Sequence, residues 1–423
     1  MKHAAESGSR TLSAALERYQ SPGVTPVGDE DAIFLASAHE ARVVDVDGTS
    51  YLDFCAGFGV AGTGHSNHAV VRAIGNQAAV LMHAMGDLHP AEIQAPLLEK
   101  LAAIAPGALS KSYLCSTGSE AVEAALKTAL LYNGRPGIIA FNGAYHGLSL
   151  GALEVCGLPF FRKPFASALT QRSVFVDYPR QQQGAAAIER AITAIEDAVR
   201  KRADIGAVIV EPIQGRAGIV LPPDGFLSAL RAFCDRQQLV LIVDEVYTGF
   251  GRTGKWFAVE HEDIVPDLLC VGKALANGFP MAATIGTPKV MDAWPAPERE
   301  ALHTSTFMGN PMGCAAALAT IEEIERLNLP ARATTLSNIV AERLEPLRRH
   351  EQVTDIRGRG LFWGIEMRTD SIADSIVRAA VRQGLMIFAE GAVVAIMPPL
   401  TITESELAEG LNVISSLFES VPA

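Results

Sequence analysis

Five consecutive apolar residues, Leu239–Val243 (LVLIV), constrain the fold of this chain more than any other feature of the sequence. A strand with one solvated face alternates apolar and polar residues, whereas a strand covered on both faces has no such alternation. Two acidic residues, Asp244 and Glu245, follow the run directly. The pattern predicts a central strand of an α/β sheet whose end delivers a carboxylate to the edge of that sheet.

Strand-like and helix-like patterns alternate on both sides of this run. The other candidate strands are short and apolar, at residues 112–115, 137–141, 207–211 and 268–271. The candidate helices between them have apolar residues at helical spacing, at residues 120–132, 226–236 and 312–326. This succession predicts an α/β fold in which helices flank a mostly parallel, doubly wound sheet.

The pattern changes after about residue 329. A charged amphipathic helix over residues 331–350 precedes candidate strands and helices in a mixed order, at residues 353–357, 361–367, 372–383, 393–397 and 404–418. We therefore expect an N-terminal segment over 1–50, a large domain over 51–320 and a small α+β domain over 321–423. The N-terminal segment is expected to pack against the small domain.

The charge balance excludes several classes of partner. The chain has 35 Lys and Arg against 47 Asp and Glu, for a net charge of −12. Such a surface repels nucleic acid and anionic lipid, so neither is expected as a partner.

The uncharged stretch 304–321 contains Asn310 and Pro311, which favours a buried loop and helix over a membrane span. We expect a cytoplasmic enzyme without a metal site.

Gly57–Gly62 matches the GxGxxG pattern of dinucleotide-binding folds and raises the alternative of a dehydrogenase. That fold requires a helix to open within the glycines and an acidic residue about 20 positions later. Here the residues 63–67 (TGHSN) prolong the loop instead. A single match of this kind is weak, and the sequence disfavours nicotinamide or flavin binding.

Small hydroxyl residues and a glycine, Ser116–Ser119, lie between a candidate strand and a candidate helix. A helix N-terminus offers free N–H groups and the positive end of the helix dipole, so this turn suits a phosphate group. The plainer interpretation is an ordinary helix cap made by Ser119.

Two charged residues and one aromatic residue follow other strands. Asp244 needs a cationic partner, such as a pyridinium N–H or Arg252. Lys273 follows an apolar strand, where burial would make its amine nucleophilic, although a snorkelling lysine is commoner. Tyr145, flanked by Gly143 and Gly147, could stack on a planar ring or simply fill a turn. Together with the phosphate turn, these residues meet the requirements of one cofactor.

Eight motifs from about residue 43 to the C-terminus resemble those of the class III pyridoxal-phosphate-dependent aminotransferases, a family of fold type I. They are DFCAGFGVAGTGH (53–65), STGSEAVEAALK (116–127), FNGAYHG (141–147), VEPIQG (210–215), DEVYTGFGRTG (244–254), VGKALANGFP (271–280), STFMGNP (305–311) and MPPLTI (397–402). The resemblance implies pyridoxal 5'-phosphate as the cofactor. It also implies ping-pong transfer of an amino group from an amine donor to an oxo acceptor, and a homodimer with shared active sites.

The resemblance assigns cofactor-binding roles by motif to Thr117, Gly118, Ser119, Tyr145, His146, Asp244, Val246, Tyr247, Lys273 and Thr306. The first three would hold the phosphate, and Thr306 would reach the phosphate of the neighbouring subunit. Tyr145 and Val246 would cover opposite faces of the ring, while Tyr247 would contact its phenolic oxygen. Asp244 would pair with the ring nitrogen, and Lys273 would form the Schiff base and move the proton.

The substrate side departs from the family pattern. Ala395 stands where many members have an arginine for the α-carboxylate, and Leu148 where members acting on 4-aminobutyrate have another. Glu211 therefore lacks its usual partner. Arg216 either supplies a compensating charge or lies on the surface, and Phe58 falls where the family lines its substrate pocket. Since a carboxylate usually binds a bidentate arginine, we expect an amine, amino-sugar-like or ω-amino donor.

Other reactions remain open on these residues. An aminomutase, an epimerase or a lyase of the same family would use the same four motifs. A non-catalytic cofactor-binding protein is disfavoured, because Lys273, Asp244 and Tyr145 are all present.

Overall fold

The computed structural model describes residues 8–24, 32–296, 298 and 300–420. Its strands, numbered in chain order, are β1 Leu35–His39, β2 Arg42–Asp45, β3 Ser50–Asp53, β4 Lys111–Cys115, β5 Gly137–Phe141, β6 Ser173–Val176, β7 Ile205–Val210, β8 Val240–Asp244, β9 Leu268–Val271, β10 Ala282–Gly286, β11 Val353–Arg359, β12 Phe362–Met367, β13 Leu385–Met386, β14 Phe388–Glu390 and β15 Val393–Ile396.

The helices of the described residues fall into long elements and single turns. The long helices are Gly8–Tyr19, His68–Val80, Gln94–Ile104, Gly118–Asn133, Ala185–Lys201, Phe226–Gln237, Pro311–Arg326, Leu329–Leu344, Asp370–Arg382 and Glu404–Ser420. The short α-helical turns are Ala56–Gly59, Leu150–Glu154, Pro159–Arg162 and Pro288–Met291, and the 3₁₀ turns are Lys163–Ala168, Gln181–Gln183, Ala258–Glu262, Lys273–Leu275 and Glu345–Arg349. Within the described ranges, no helix has the length and apolar character needed to cross a membrane.

The central sheet has seven strands in the order β4-β10-β9-β8-β7-β5-β6. Ladders β5–β6, β5–β7, β7–β8 and β8–β9 are parallel, whereas β10 runs antiparallel to both its neighbours. All five residues of β8 are buried, which confirms the prediction from the LVLIV run. The mostly parallel sheet is confirmed as well, although the sequence patterns did not indicate β6 and β10.

Four predicted motifs meet at one edge of this sheet. The carboxyl ends of β4, β5, β8 and β9 point the same way, because β4 and β9 both run opposite to the strand between them. Cys115, Phe141, Asp244 and Val271 are the last residues of these strands. Each motif begins at or just beyond one of them, so the topology gathers all four motifs around one space.

Two smaller sheets flank the central one, with strand orders β1-β2-β3-β13 and β11-β12-β15-β14. The short C-terminal strand β13 pairs in parallel with β3, and Arg42 of β2 forms an ion pair with Glu409 of the last helix. The ion pair joins the N-terminal segment to the C-terminal part, and the strand pairing joins that part to the residues directly after the segment. We propose a small domain on this basis, and place its boundary between the helices Pro311–Arg326 and Leu329–Leu344 rather than at residue 320.

The GxGxxG segment does not have the geometry of a dinucleotide site. Strand β3 belongs to a small flanking sheet, and the turn after it holds Gly57 and Phe58 in left-handed conformation, at φ 56° and 60°. The next long helix begins only at His68. A non-glycine residue in that conformation is uncommon, and here it projects the Phe58 ring outward, 56% exposed.

Candidate active site

A cavity of about 410 Å³ opens at the edge where the four motifs meet. Its lining includes nine of the ten predicted cofactor-binding residues, namely Thr117, Gly118, Ser119, Tyr145, His146, Asp244, Val246, Tyr247 and Lys273. Leu148 and Glu211 line it too, as do Val60 and residues 278–281, to which the sequence analysis assigned no role. The motifs therefore converge, as the order of the strands requires.

One wall of the cavity is the N-terminus of the helix Gly118–Asn133. Thr117 is its N-cap and forms a capping box with Glu120, so the alternative in which Ser119 caps the helix is wrong. The Thr117 hydroxyl accepts from the Glu120 N–H, and the Glu120 carboxylate accepts from the Ser116 N–H at 2.8 Å. In a helix the first N–H groups have no intrahelical acceptor, so those of Gly118 and Ser119 are available to an anion.

Two glycines allow neighbouring side chains to pack closely at this wall. A Cβ on Gly118 would come within 3.1 Å of the Val246 side chain, and one on Gly147 within 2.5 Å of the Ser119 hydroxyl. Gly147 also has a φ of +114°, which other residues adopt only under strain. Ser119 in turn shares a 2.7 Å hydrogen bond with Ser149, a residue that no motif indicated. The absence of a side chain at both positions lets Val246 and Ser119 pack closely against the backbone of this wall.

Asp244 lies at the floor of the cavity and is almost fully buried. One of its carboxylate oxygens is 2.8 Å from Nδ1 of His146, and the other accepts the Val246 N–H at 3.0 Å. Burial opposes protonation of His146, but the hydrogen bond and the negative charge of Asp244 raise its pKa overall. Among the described atoms, Nε2 of His146 is buried without a partner, a polar atom that a bound group could satisfy.

Arg252, the other partner considered for Asp244, lies elsewhere. Its buried guanidinium donates through Nη1 to the carbonyl oxygens of Leu361 and Pro398, at 2.9 and 2.6 Å. Burial lowers its pKa to about 10. Arg252 therefore ties the Pro398 loop to the sheet, and the interpretation of Asp244 as its salt-bridge partner is wrong.

Lys273 projects into the cavity from the turn that follows β9. Its Nζ lies 3.1 Å from the centre of the Tyr247 ring, and that ring stacks on Phe362 at 5.2 Å and 11°. Burial lowers the pKa of Lys273 to about 7, against the opposing charges of Asp244 and Glu211. The amine is therefore about half neutral at pH 7 and mostly neutral at pH 8, and the neutral form is the one that acts as a nucleophile.

Glu211 lines the cavity but is committed to the backbone. Its carboxylate accepts the N–H groups of Tyr145 and Gly215, at 3.0 and 3.2 Å. Burial raises its pKa to about 7. These bonds fix the Tyr145 loop against the loop after β7, so this residue positions the ring that the sequence predicted as a stacker.

The predicted substrate residues Phe58 and Arg216 lie outside the lining of the cavity. Arg216 pairs with Glu390 at 2.7 Å, and its guanidinium carbon is 5.1 Å from the centre of the Tyr145 ring. Phe58 contacts Phe388 edge-to-face at 5.1 Å. No motif indicated Phe388 or Glu390, because they approach the site only through the pairing of β14 with β15.

Thr306 is the one predicted cofactor-binding residue outside the cavity lining. It lies exposed in the turn before the helix Pro311–Arg326. Its neighbours Leu302 and Phe307 are 65% and 61% exposed.

Comparison with known proteins places this geometry in a family. Residues 25–418 match the model of the family described as aminotransferase class-III. The chain belongs to the class III aminotransferases. The aminotransferase is similar in structure to one from Bacillus anthracis, at 27% identity and a TM-score of 0.91 over 97% of this chain and 98% of that one.

Two further structures have similar overlap. An (S)-enantioselective omega-transaminase from Thermomicrobium roseum is 25% identical, with a TM-score of 0.90 over 97% of the aminotransferase and 99% of that chain. An amine transaminase from an uncultivated Pseudomonas species, in its PLP-bound form, is 27% identical. Its TM-score is 0.87 over 95% of the aminotransferase and 99% of that chain. The fold is accordingly that of fold type I pyridoxal-phosphate enzymes, as the sequence predicted.

The aminotransferase uses pyridoxal 5'-phosphate, and its cavity fits that group. The helix N-terminus at Gly118 and Ser119 suits the phosphate end, because its first N–H groups have no intrahelical acceptor. The unpartnered Nε2 of His146 and the carboxylate of Asp244 lie at the buried end, where a protonated ring nitrogen needs an anion. Lys273 brings a neutral amine to the same space.

Proposed function

We propose that this aminotransferase takes its amino group from an amine, ω-amino or amino-sugar-like donor and passes it to an oxo acceptor. The observation that carries the proposal is the absence of an anchoring arginine from the described lining of the cavity, where Lys273 is the only lysine or arginine. Leu148 lines it instead, and Ala395 is buried in β15. Such a lining favours donors without an α-carboxylate, because that group usually requires a bidentate arginine.

The proposed roles follow from position. Pyridoxal 5'-phosphate, when bound, supplies an electron sink for the carbon that carries the amino group. Nζ of Lys273 would be the attachment point, and the released amine would carry a proton from the donor's amino carbon to the cofactor, then from the cofactor to the acceptor's carbon in the second half-reaction. Asp244, oriented by His146, holds the proton on the ring nitrogen. The N–H groups of Gly118 and Ser119 bind the phosphate.

We also propose a homodimer whose second copy completes the site. The segments 82–88 and 302–310 are joined by the hydrogen bonds Thr304–Asp87 and Asn310–Met82. In these segments, the apolar residues with an exposed fraction of 60% or more are Met82, Met85, Leu88, Leu302 and Phe307. Contiguous exposed apolar surface of this kind marks an interface. A monomeric holoenzyme in sedimentation velocity would contradict the dimer.

A panel of donors in the first half-reaction tests the function. Holoenzyme is mixed with 1-phenylethylamine, 6-aminohexanoate or L-glutamate without an acceptor, and the amino form of the cofactor is followed by absorbance. We expect kcat/KM for the neutral amine to exceed that for L-glutamate by at least about tenfold. In the control variant Lys273→Ala, we expect no conversion of any donor.

Two results would count against the proposal. The first is a strong preference for L-glutamate that is lost in Glu211→Ala but kept in Arg216→Ala. The second is turnover of a donor without any accumulation of the amino form, which would favour an aminomutase, epimerase or lyase.

A further inference from the structure

His303 holds the exposed segment 302–310 against the rest of the chain. Its ring is half-buried and stacks on Tyr113 at 4.9 Å and 28°, and on Trp294 at 6.0 Å and 19°. The Tyr113 hydroxyl also donates to the carbonyl oxygen of His303 at 2.7 Å. Both the side chain and the main chain of this residue are therefore fixed, although it lies outside the motifs that indicated the site.

A lysine determines which form of the His303 ring is present. Nζ of Lys127 lies 3.0 Å from Nδ1 of the ring. Because an ammonium group only donates hydrogen bonds, Nδ1 accepts and the ring proton lies on Nε2. Burial and the charge of Lys127 lower the pKa of His303, against the opposing charges of Glu123 and Glu120. The ring is therefore held in one neutral form.

The partners of His303 belong to the two elements on either side of the proposed phosphate-binding turn. Tyr113 is in β4, before the turn, and Lys127 is in the long helix that begins at the turn. Trp294 contacts the same helix, because its Nε1 donates to the hydroxyl of the buried Thr128 at 2.9 Å. His303 is therefore joined to both elements that present the turn to a phosphate.

Thr306, the residue expected to reach the phosphate of the neighbouring subunit, lies three positions after His303. Three residues of extended chain span at most about 11 Å, so fixing His303 limits where the Thr306 hydroxyl can lie. The N–H of Met308 donates to the carbonyl oxygen of Ser305 at 3.1 Å and closes a turn around Thr306. The threonine is thus presented on a short turn whose approach is held by one histidine.

We propose that His303 is a positioning residue that holds Thr306 in place for the cofactor phosphate of the second subunit. Through His303, the turn that binds a subunit's own phosphate and the threonine offered to its neighbour share one set of contacts. The inference rests on the proposed homodimer with shared active sites, and it names a residue on which the sharing depends.

Two ligands that differ only in the phosphate test this role. Pyridoxamine 5'-phosphate and pyridoxamine are titrated into the cofactor-free full-length protein by calorimetry, at a concentration at which sedimentation velocity shows the dimer. We expect His303→Ala to weaken binding of pyridoxamine 5'-phosphate by about 3- to 10-fold, which is the contribution of one hydrogen bond. Binding of pyridoxamine should weaken by less than about twofold.

A milder variant keeps the test open if His303→Ala does not fold. Tyr113→Phe retains the stacked ring but removes the hydroxyl that holds the His303 carbonyl. It should weaken binding of pyridoxamine 5'-phosphate by about 2- to 5-fold and leave that of pyridoxamine unchanged.

A double variant separates positioning from a general structural role. In a Thr306→Ala background the hydroxyl to be positioned is gone, so His303→Ala should change the ratio of the two dissociation constants by less than about 1.5-fold. His350→Ala is the matched control, since its ring contacts Phe418 at 5.3 Å in the C-terminal part, and it should leave the ratio unchanged.

The outcomes distinguish this inference from the proposed dimer. A monomeric wild-type protein, or an unchanged ratio in Thr306→Ala, overturns the shared active site itself. If Thr306→Ala changes the ratio but His303→Ala and Tyr113→Phe weaken both ligands equally or neither, the positioning role alone is wrong. An undiminished effect of His303→Ala in the Thr306→Ala background would overturn it as well.

Discussion

The floor and the mouth of the cavity differ in how the chain builds them. The floor, defined as Ser116–Ser119, His146, Asp244 and Lys273, comes from residues within a few positions of strand ends in one sheet. The mouth, defined as Phe58, Arg216, Phe388 and Glu390, comes from three separate segments. Its members meet through single side-chain contacts, Arg216 with Glu390 and Phe58 with Phe388.

This difference separates the residues that carry out the reaction from the residues that select the substrate. His146 and Asp244 in the floor are buried and paired with each other, so a change there alters the reaction itself. The mouth is partly exposed and depends on side chains alone, so a change there can alter the substrate while the reaction is kept. Three substitutions or titrations break or sharpen this contrast, from the largest expected effect to the smallest.

Adjacent carboxylates at the end of β8 should have opposite consequences. Asp244→Asn removes the charge beside the ring nitrogen and should lower kcat by about 100-fold or more, with a small change in thermal stability. Its neighbour Glu245 instead accepts the N–H groups of Ala258 and Val259, at 2.7 and 2.9 Å, and the hydroxyl of Thr248 at 2.8 Å.

Glu245→Gln is therefore the matched control. It should lower the free energy of unfolding by roughly 1–3 kcal/mol while kcat stays within about threefold. Steady-state kinetics and thermal melts of the two variants check the contrast. An equal loss of activity in both variants would show that Asp244 has no specific role in the reaction.

The pH dependence of cofactor uptake should report the burial of Lys273. Burial lowers its pKa to about 7, so the neutral amine grows from about one tenth of the population at pH 6 to about nine tenths at pH 8. Uptake of pyridoxal 5'-phosphate by the cofactor-free protein should accelerate about ninefold over this range and then level off. Stopped-flow absorbance measures it, with butylamine in solution as the control for the cofactor's own titration.

A rate that keeps rising above pH 9 would contradict this assignment. It would show a lysine with the ordinary pKa, in which case the floor would not activate its amine.

The smallest effect is expected at the mouth. Phe58→Ala removes the edge-to-face contact with Phe388 and should raise KM for 1-phenylethylamine by about threefold, without changing the dissociation constant of the cofactor. Phe165→Ala is the matched control, since Phe165 is 54% exposed against 56% for Phe58 and lies outside the cavity lining. A large loss of cofactor affinity in Phe58→Ala would show that mouth and floor are not independent.

Much of the floor could be predicted from local patterns. The apolar runs located β5, β8 and β9 and the helix after Ser119, and the motifs at their ends named nine residues that line the cavity. Strands β6 and β10 were missed because SVFV and AATIG are short and carry no marked periodicity. Ser149 was missed because its role depends on a contact with Ser119, 30 residues away.

The mouth could be predicted only in part. Arg216 and Phe58 were indicated by motif position, but a single charged residue in a loop does not reveal its partner. Glu390 lies 174 positions after Arg216 and is brought to it by the β14–β15 ladder. Thr306 and the proposed dimer depend on a second copy of the chain.

The sequence by itself determined the chemistry of this protein, because parallel strands place their carboxyl ends at one edge and so bring the residues that follow them together. Only the tertiary structure decided that His146 pairs with Asp244, that Arg252 does not, and that Glu390 faces Arg216. Those pairings depend on the packing of separate layers and on side-chain direction, which local periodicity does not encode. Short segments of the sequence therefore predict the residues of the reaction, whereas contacts between distant segments decide which residues select the substrate.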